Sequence, residues 1–226
     1  MKILFGSDVS FRCRDGGITP ENAAERVRSV KPVFDGADFR IVNLENVLYD
    51  STMGEIIKSG PALRSSRHCV AFLKALGVDA VGLANNHFGD FGEAGMRSTW
   101  ECLRENGIAW AGAGETLDDA YRALRFEKDD IRVAVIAACE NEFGTATATT
   151  PGSAGYAPLR LPRKRKQRNM WWCTSMAATR TIRSPRRKRM TGIACGPGWG
   201  RTRSLSCTPI ALRDTRSMRA SPLCTA

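Results

Sequence analysis

The sequence predicts an α/β fold, and three observations carry that reading. Short apolar runs alternate with amphipathic helical patterns through the first 160 residues. Alternation of this kind favours a mainly parallel sheet with covering helices. Acids, amides and a histidine fall just after the apolar runs, at the strand ends where α/β sheets bind ligands. The charge is also split in two. Residues 1–160 carry 18 Lys and Arg against 22 Asp and Glu, whereas residues 161–226 carry 16 basic residues and one acid, Asp214. The formal net charge of +11 therefore belongs to the last part of the 226-residue chain.

Lys2–Phe5 is a short strand delivering Asp8 to a loop after Gly6-Ser7. Thr19-Pro20-Glu21 starts a helix, with a capping hydroxyl, a proline at the first position and an acid in the first turn. Phe39–Leu44 is a second strand ending at Glu45. Ser65–Leu76 reads as a helix with Val70, Leu73 and Leu76 on one face and Gly77 in the left-handed position after it. Val78–Ala84 is a third strand running into Asn85-Asn86-His87. Glu93–Asn106 is an amphipathic helix with Met96, Trp100 and Leu103 along one face. Ile108–Ala111 and Val133–Ala138 complete the strands.

Composition removes several function classes. No apolar run approaches the 18 or so residues of a membrane-spanning helix. Met1–Phe5 is too short an apolar stretch for a signal peptide, so a cytoplasmic location with reduced thiols is expected. The eight cysteines contain no CxxC pair, which argues against a zinc ribbon.

Asp8, Glu45, Asn86 and His87 together are ligand types for a hard or borderline divalent metal. Each has an ordinary reading alone: Asp8 as a loop acid or helix cap, Glu45 as a surface residue, Asn85 and Asn86 as turn formers. His68 sits in a polar helix start and reads as a surface residue.

The order of Asp8, Ile41-Val42-Asn43-Leu44-Glu45-Asn46-Val47-Leu48, Gly82 to Gly92 with its Ala84-Asn85-Asn86-His87 core, and Trp110-Ala111-Gly112-Ala113-Gly114 resembles the CapA-type capsule-synthesis, or poly-γ-glutamate synthesis, proteins. That family is similar to the calcineurin-like metallophosphoesterases. The resemblance implies a layered α-β-β-α metallophosphatase-like sandwich over residues 1–160. It also implies a metal-dependent hydrolase of phosphoesterase type, acting on a phosphorylated or anionic polymer-related substrate, or else a non-catalytic accessory protein of polymer synthesis or export. By position, Asp8, Glu45 and Asn86 match metal ligands, and His87 matches the imidazole that gives a proton to the leaving oxygen. Asp90 matches the carboxylate that orients His87. On that role Asp90→Ala in a frame-restored enzyme should lower turnover, by about 10–100-fold, far more than it lowers folding stability. Two divalent ions (Mn, Fe or Zn) about 3.5–4 Å apart would bridge a hydroxide and clamp the oxyanion. Where the family commonly has Gly-Asp, this chain has Ser7-Asp8.

The family's later histidines have no counterpart in residues 161–226, which contain none. Met and Trp have single codons, so Met170-Trp171-Trp172-Cys173 fixes its nucleotides, and dropping two of them forces Val-Val-Val. Continued to Arg180, the shifted frame permits H-I-H-G-G-N-E, and from Trp199 it permits G-P-D-A-V-V-V-M-H-P-H-C. Both strings resemble the missing motifs, in order and in one frame. Residues 161–226 are therefore read as a frameshifted, basic and disordered tail, with the switch between Leu159 and Asn169. On this reading the fold is incomplete, its sheets lack the later strands, and the chain itself is inactive. Read instead as an evolved segment, Arg163-Lys164-Arg165-Lys166 and Arg186-Arg187-Lys188-Arg189 would bind polyanions without sequence preference, so no specific nucleic acid is expected.

Overall fold

A computed structural model describes residues 1–11 and 17–156, and the strand backbone of 169–176 and 210–211. The first strand, β1 (Ile3–Ser10), runs past the expected end, and its register slips between Phe5 and Asp8. Asp8 therefore sits on the strand after an irregularity, not in a loop. Thr19 and Asn22 exchange hydrogen bonds before α1 (Ala23–Val27). A second short helix, α2 (Lys31–Asp35), begins with Pro32 in its first turn. Too short for a periodic pattern, it escapes a sequence reading.

β2 (Phe39–Leu44) has the predicted bounds, and Glu45 follows it. β3 (Val47–Leu48) and β4 (Arg64–Ser65) form a small parallel pair across a long irregular connection. A tight 3-10 turn at Arg67–Cys69 replaces the start of the predicted helix, and α3 (Val70–Leu76) completes it. Gly77 closes α3 at φ 74°, the left-handed position. β5 (Ala80–Gly82) is shorter than predicted. α4 (Gly92–Glu105) carries the expected buried face of Met96, Trp100 and Leu103. After it come β6 (Ala109–Ala111), β7 (Ala113–Gly114) and α5 (Leu117–Ala120), the last capped by the Thr116 hydroxyl.

β8 (Leu124–Lys128) and β9 (Ile131–Cys139) form a hairpin. Its turn residues Asp129 and Asp130 have φ of 51° and 59°. Positive φ at both positions is what a two-residue turn matched to strand twist requires, and Asp tolerates it. β10 (Gly152–Ser153) pairs antiparallel with β7. β11 (Asn169–Met176) runs parallel to β9, and β12 (Ile210–Ala211) parallel to the end of β1.

The larger sheet has the order β12-β1-β2-β5-β6 and is parallel throughout; the second has the order β11-β9-β8. Val9, Val42, Leu44, Val81 and Leu83 face α1, α3 and α4 in one apolar core. Ile41, Ala80, Ala84 and Ala111 face Val133, Val135 and Ala137 of β9 in a second core between the sheets. Among the described residues this is the α-β-β part of the expected four-layer order. The facing alanines set how closely the sheets approach. At Gly112, where φ is +87°, an added Cβ would lie 2.6 Å from Ala84 Cβ and 2.7 Å from Ala137 Cβ.

The expected loss of later strands needs correction, because 169–176 and 210–211 supply strand backbone to both sheets. Met-Trp-Trp-Cys-Thr is rich in residues of high β-propensity, so the residues as they stand can supply a strand there. The rest of the expected tail, and the boundary near residue 160, lie outside the described residues.

Candidate functional site

Parallel pairing brings three strand ends to one edge. Asp8 pairs in register with Asn43, and Asn43 with Gly82, so β1, β2 and β5 all point their C-terminal ends at one place. A chain of amides then links them. Asn43 Nδ2 donates to Asp8 Oδ1 at 2.9 Å. Asn85 Nδ2 lies 3.3 Å from Asn43 Oδ1 and donates to the Leu44 carbonyl at 2.9 Å. Asn85 Oδ1 accepts the His87 backbone N–H at 3.0 Å. Asn46 ties the same strand ends from behind, its Oδ1 accepting the Phe11 N–H at 2.9 Å. Asn43, Asn46 and Asn85 are all buried, so each amide needs the partner it has.

The titratable groups gather around this scaffold. His87 Nε2 lies 3.9 Å from Glu45 Oε1, beyond hydrogen-bond length, and its Nδ1 lies 2.7 Å from Asp90 Oδ2. Burial, with the Glu45 charge adding to it, raises the Asp8 pKa, while the Asn43 hydrogen bond and His87 oppose the rise. A carboxylate raised in this way binds protons more tightly folded than unfolded. It therefore penalises folding as pH climbs past the ordinary carboxylate range near 4. Asp8→Asn should accordingly raise the melting temperature at neutral pH, with the gain vanishing below about pH 4. Thermal melts at the two pH values check this.

Asp8, Glu45, His87 and Asp90 are thus brought together, and Asn86 sits half-buried in the turn beside them. His68 is exposed, as expected. The donor types, two carboxylates and an imidazole at one sheet edge, are of a kind that suits a divalent cation. It is not a closed cage: among the described residues no three His, Cys, Asp or Glu side chains are placed to hold a metal ion together. Burial pushes the Cys102 thiol up to about 11 and raises that of Cys139, which makes neither a nucleophile.

Two contributors escape a sequence reading. Asn43 lies inside a strand of buried residues and looks like a poor strand former there. Lys58 lies in the irregular connection between β3 and β4, and its buried ammonium pairs with the Asp90 carboxylate. Asp90 itself is wholly buried. Its backbone carbonyl accepts from Ile56 N–H at 2.9 Å, and its Oδ2 accepts from Leu63 N–H at 2.7 Å. These contacts give Asp90→Ala a stability cost of its own beside any loss of turnover. A side chain with these partners holds the connection down as well as touching His87.

The class defined by this fold and site is an α/β protein with a parallel sheet, a second sheet stacked on it, and an acid–amide–histidine cluster at the strand ends. Residues 3–209 match the family described as bacterial capsule synthesis protein PGA_cap, and the chain belongs to that family. It is 42% identical over 88 residues to the uncharacterized protein y4sH of Sinorhizobium fredii, covering 39% of this chain and 19% of that protein. It is 27% identical over 135 residues to the capsule biosynthesis protein CapA of Bacillus anthracis, covering 58% of this chain and 33% of the relative. The matches thus span a third or less of these relatives' length. A crystal structure of a phosphatase from Mycoplasma pneumoniae aligns with 79% of this chain and 56% of its own, at 16% identity and a TM-score of 0.42. Among the described residues no helix is long and apolar enough to cross a membrane.

Proposed function

We propose that this chain derives from a metal-dependent hydrolase of phosphoesterase type in capsule or poly-γ-glutamate metabolism. The observation that supports it is the continuous link from Asp8 through Asn43 and Asn85 to His87, with Glu45 beside the imidazole. In this reading Asp8, Glu45 and Asn86 are the metal ligands contributed by the first half of the chain. His87 works on the leaving oxygen, and Asp90 orients it. The metal (Mn, Fe or Zn) would polarise the phosphoryl oxygen and activate water. The ligand set in the chain as it stands is open, so it should bind manganese weakly and turn over no phosphoester.

A second reading, a non-catalytic accessory protein of polymer synthesis or export, draws on the absence of a closed ligand cage among the described residues. Manganese titration of the chain, with free ion followed by electron paramagnetic resonance, separates the two. Weak binding abolished by Asp8→Ala and by Glu45→Ala is the result expected of the hydrolase ancestry. Manganese binding that both variants leave intact would overturn the ligand assignment, and no binding at any concentration would favour the accessory reading.

A further inference from the structure

We infer that residues 51–62 form a strap that swings open as one unit about β3 and β4, and that its opening uncovers the inner edge of His87. The proposed reading of His87 gives the strap its use at the site. Its hinge and its fastening stand on the geometry of the connection alone.

The two ends of the connection are held together. Val47 pairs with Arg64 and Leu48 with Ser65, and the Tyr49 N–H donates to the Ser65 carbonyl at 2.8 Å. The chain between them leaves and returns at one place, the form of an Ω-loop, a class that is often functional. α4 anchors this neck separately. The Ser98 hydroxyl donates to the Leu48 carbonyl at 2.7 Å, and the Leu48 N–H donates to the Thr99 hydroxyl at 2.9 Å. The neck can therefore stay in place while the strap moves.

Beyond the neck the strap buries little. Met53 and Ile57 are exposed, as are Ser59, Gly60 and Pro61. Its fastenings converge on one short turn. Ile56 N–H donates to the Asp90 carbonyl at 2.9 Å, and at the foot of the strap Leu63 N–H donates to Asp90 Oδ2 at 2.7 Å. The Lys58 ammonium pairs with Asp90 Oδ1, and its Nζ lies 3.2 Å from His87 Nδ1. A segment with few buried apolar contacts opens at a lower free energy than the core. Here release of the His87–Asp90 turn frees the whole strap.

Gly60 supplies the hinge. Its φ is +100°, a region that side chains disfavour, and an added Cβ there would meet nothing within 4 Å. Lid hinges are a few positions of this kind that absorb a backbone rotation. Gly54 seats the other side, where an added Cβ would lie 3.2 Å from the Phe91 carbonyl oxygen.

The strap covers the side of His87 that faces away from Glu45. Lys58 keeps only 3% of its side-chain surface exposed, and the Phe143 ring lies 6.0 Å from its Nζ. His87 in turn keeps 13% of its side chain exposed, and the Asp90 carboxylate none. Lifting the strap carries Lys58 away and turns the Nδ1 edge and Asp90 to solvent. The site then widens by the room that a bulky substrate of the proposed reaction needs.

The experiment is amide hydrogen exchange of the full chain, with carbethoxylation by diethyl pyrocarbonate as a second readout. Wild-type Ile56 and Leu63 amides should share one opening equilibrium and exchange about 100-fold or more faster than those of β2 and β5, since local openings lie well below the global limit. Gly60→Ala should speed both strap amides by about 5–30-fold, the factor set by a side chain in left-handed backbone, and leave β2 and β5 unchanged. Gly60→Asn should fall between, because Asn tolerates positive φ. Gly107→Ala places the same strain at an equally open glycine after α4, at φ +68°, and should leave the strap amides as in the wild type. Carbethoxylation of His87, read by mass spectrometry against the exposed His68, should rise in Gly60→Ala by the same factor as Ile56 exchange. Strap amides that exchange only with the core would overturn the inference. So would an Ile56 rate that Gly60→Ala leaves unchanged, or a His87 rate that stays fixed while Ile56 exchange rises. Neither readout needs a metal, so manganese binding that fails beside the expected exchange would remove the hydrolase reading and leave the strap standing.

Discussion

Asp90→Ala should lower the unfolding free energy by about 3–5 kcal/mol, the usual cost of removing one partner from a buried ion pair. The substitution leaves the Lys58 ammonium buried without a counter-charge, and it strips the acceptor from the Leu63 N–H. A loss of this size is a large fraction of a typical domain's 5–15 kcal/mol. Asp90→Asn should cost less, because the amide oxygen can still accept from Leu63 N–H. Asp90→Asn with Lys58→Met should recover much of the loss, since replacing both charges of a buried pair is often close to neutral. Urea unfolding of the single and double variants measures the coupling. A loss under about 1 kcal/mol for Asp90→Ala would mean that water reaches the site and that the pair is no more than a surface bridge.

Asp90 also shows what a sequence can and cannot disclose. Strand ends announce themselves through local pattern, so Phe39–Leu44, Gly77 and the Asn85-Asn86-His87 turn are legible from spacing and turn chemistry alone. The structure then brings Asp8, Glu45 and His87 to one sheet edge, because parallel register makes consecutive strand ends neighbours. Lys58 carries no such signal. A lysine beside Ser59-Gly60-Pro61 reads as solvated turn, and only the folding of the whole connection over Asp90 turns it inward. Asn43 is hidden for the opposite reason: a polar residue within Phe39–Leu44 breaks the strand pattern until Asp8 and Asn85 are seen on either side of it. The Asp129-Asp130 hairpin was likewise masked by composition, because two acids in a row suggest a solvated loop more readily than a tight turn.

On the reading that residues 161–226 are out of frame, restoring the frame after Leu159 should bring manganese binding and hydrolysis together, and His87→Ala in the restored chain should then cost about 10²–10⁴-fold in turnover, the usual contribution of a positioned acid–base group. Backbone placement supports this expectation. β11 pairs with β9 so that Met176 stands opposite Cys139, and the shifted H-I-H would fall on the codons of Cys173 to Met176, at that strand's C-terminal end. The segment after β9 reaches the site: a Cβ on Gly89 would lie 2.6 Å from Gly144 Cα, and Phe143 lies near Lys58. β12 pairs Ile210 with Val9, the residue after Asp8, and the shifted H-P-H would fall on the codons of Cys207 to Ile210. On that reading, histidines would be added at the C-terminal end of β11 and just before β12, enlarging the open ligand set toward one able to hold two ions. Turnover of a chromogenic phosphoester with manganese, measured on the chain as it stands, the restored chain and its His87→Ala variant, is the test. A restored chain that hydrolyses nothing, whether or not it binds manganese, would favour the accessory reading over the hydrolase.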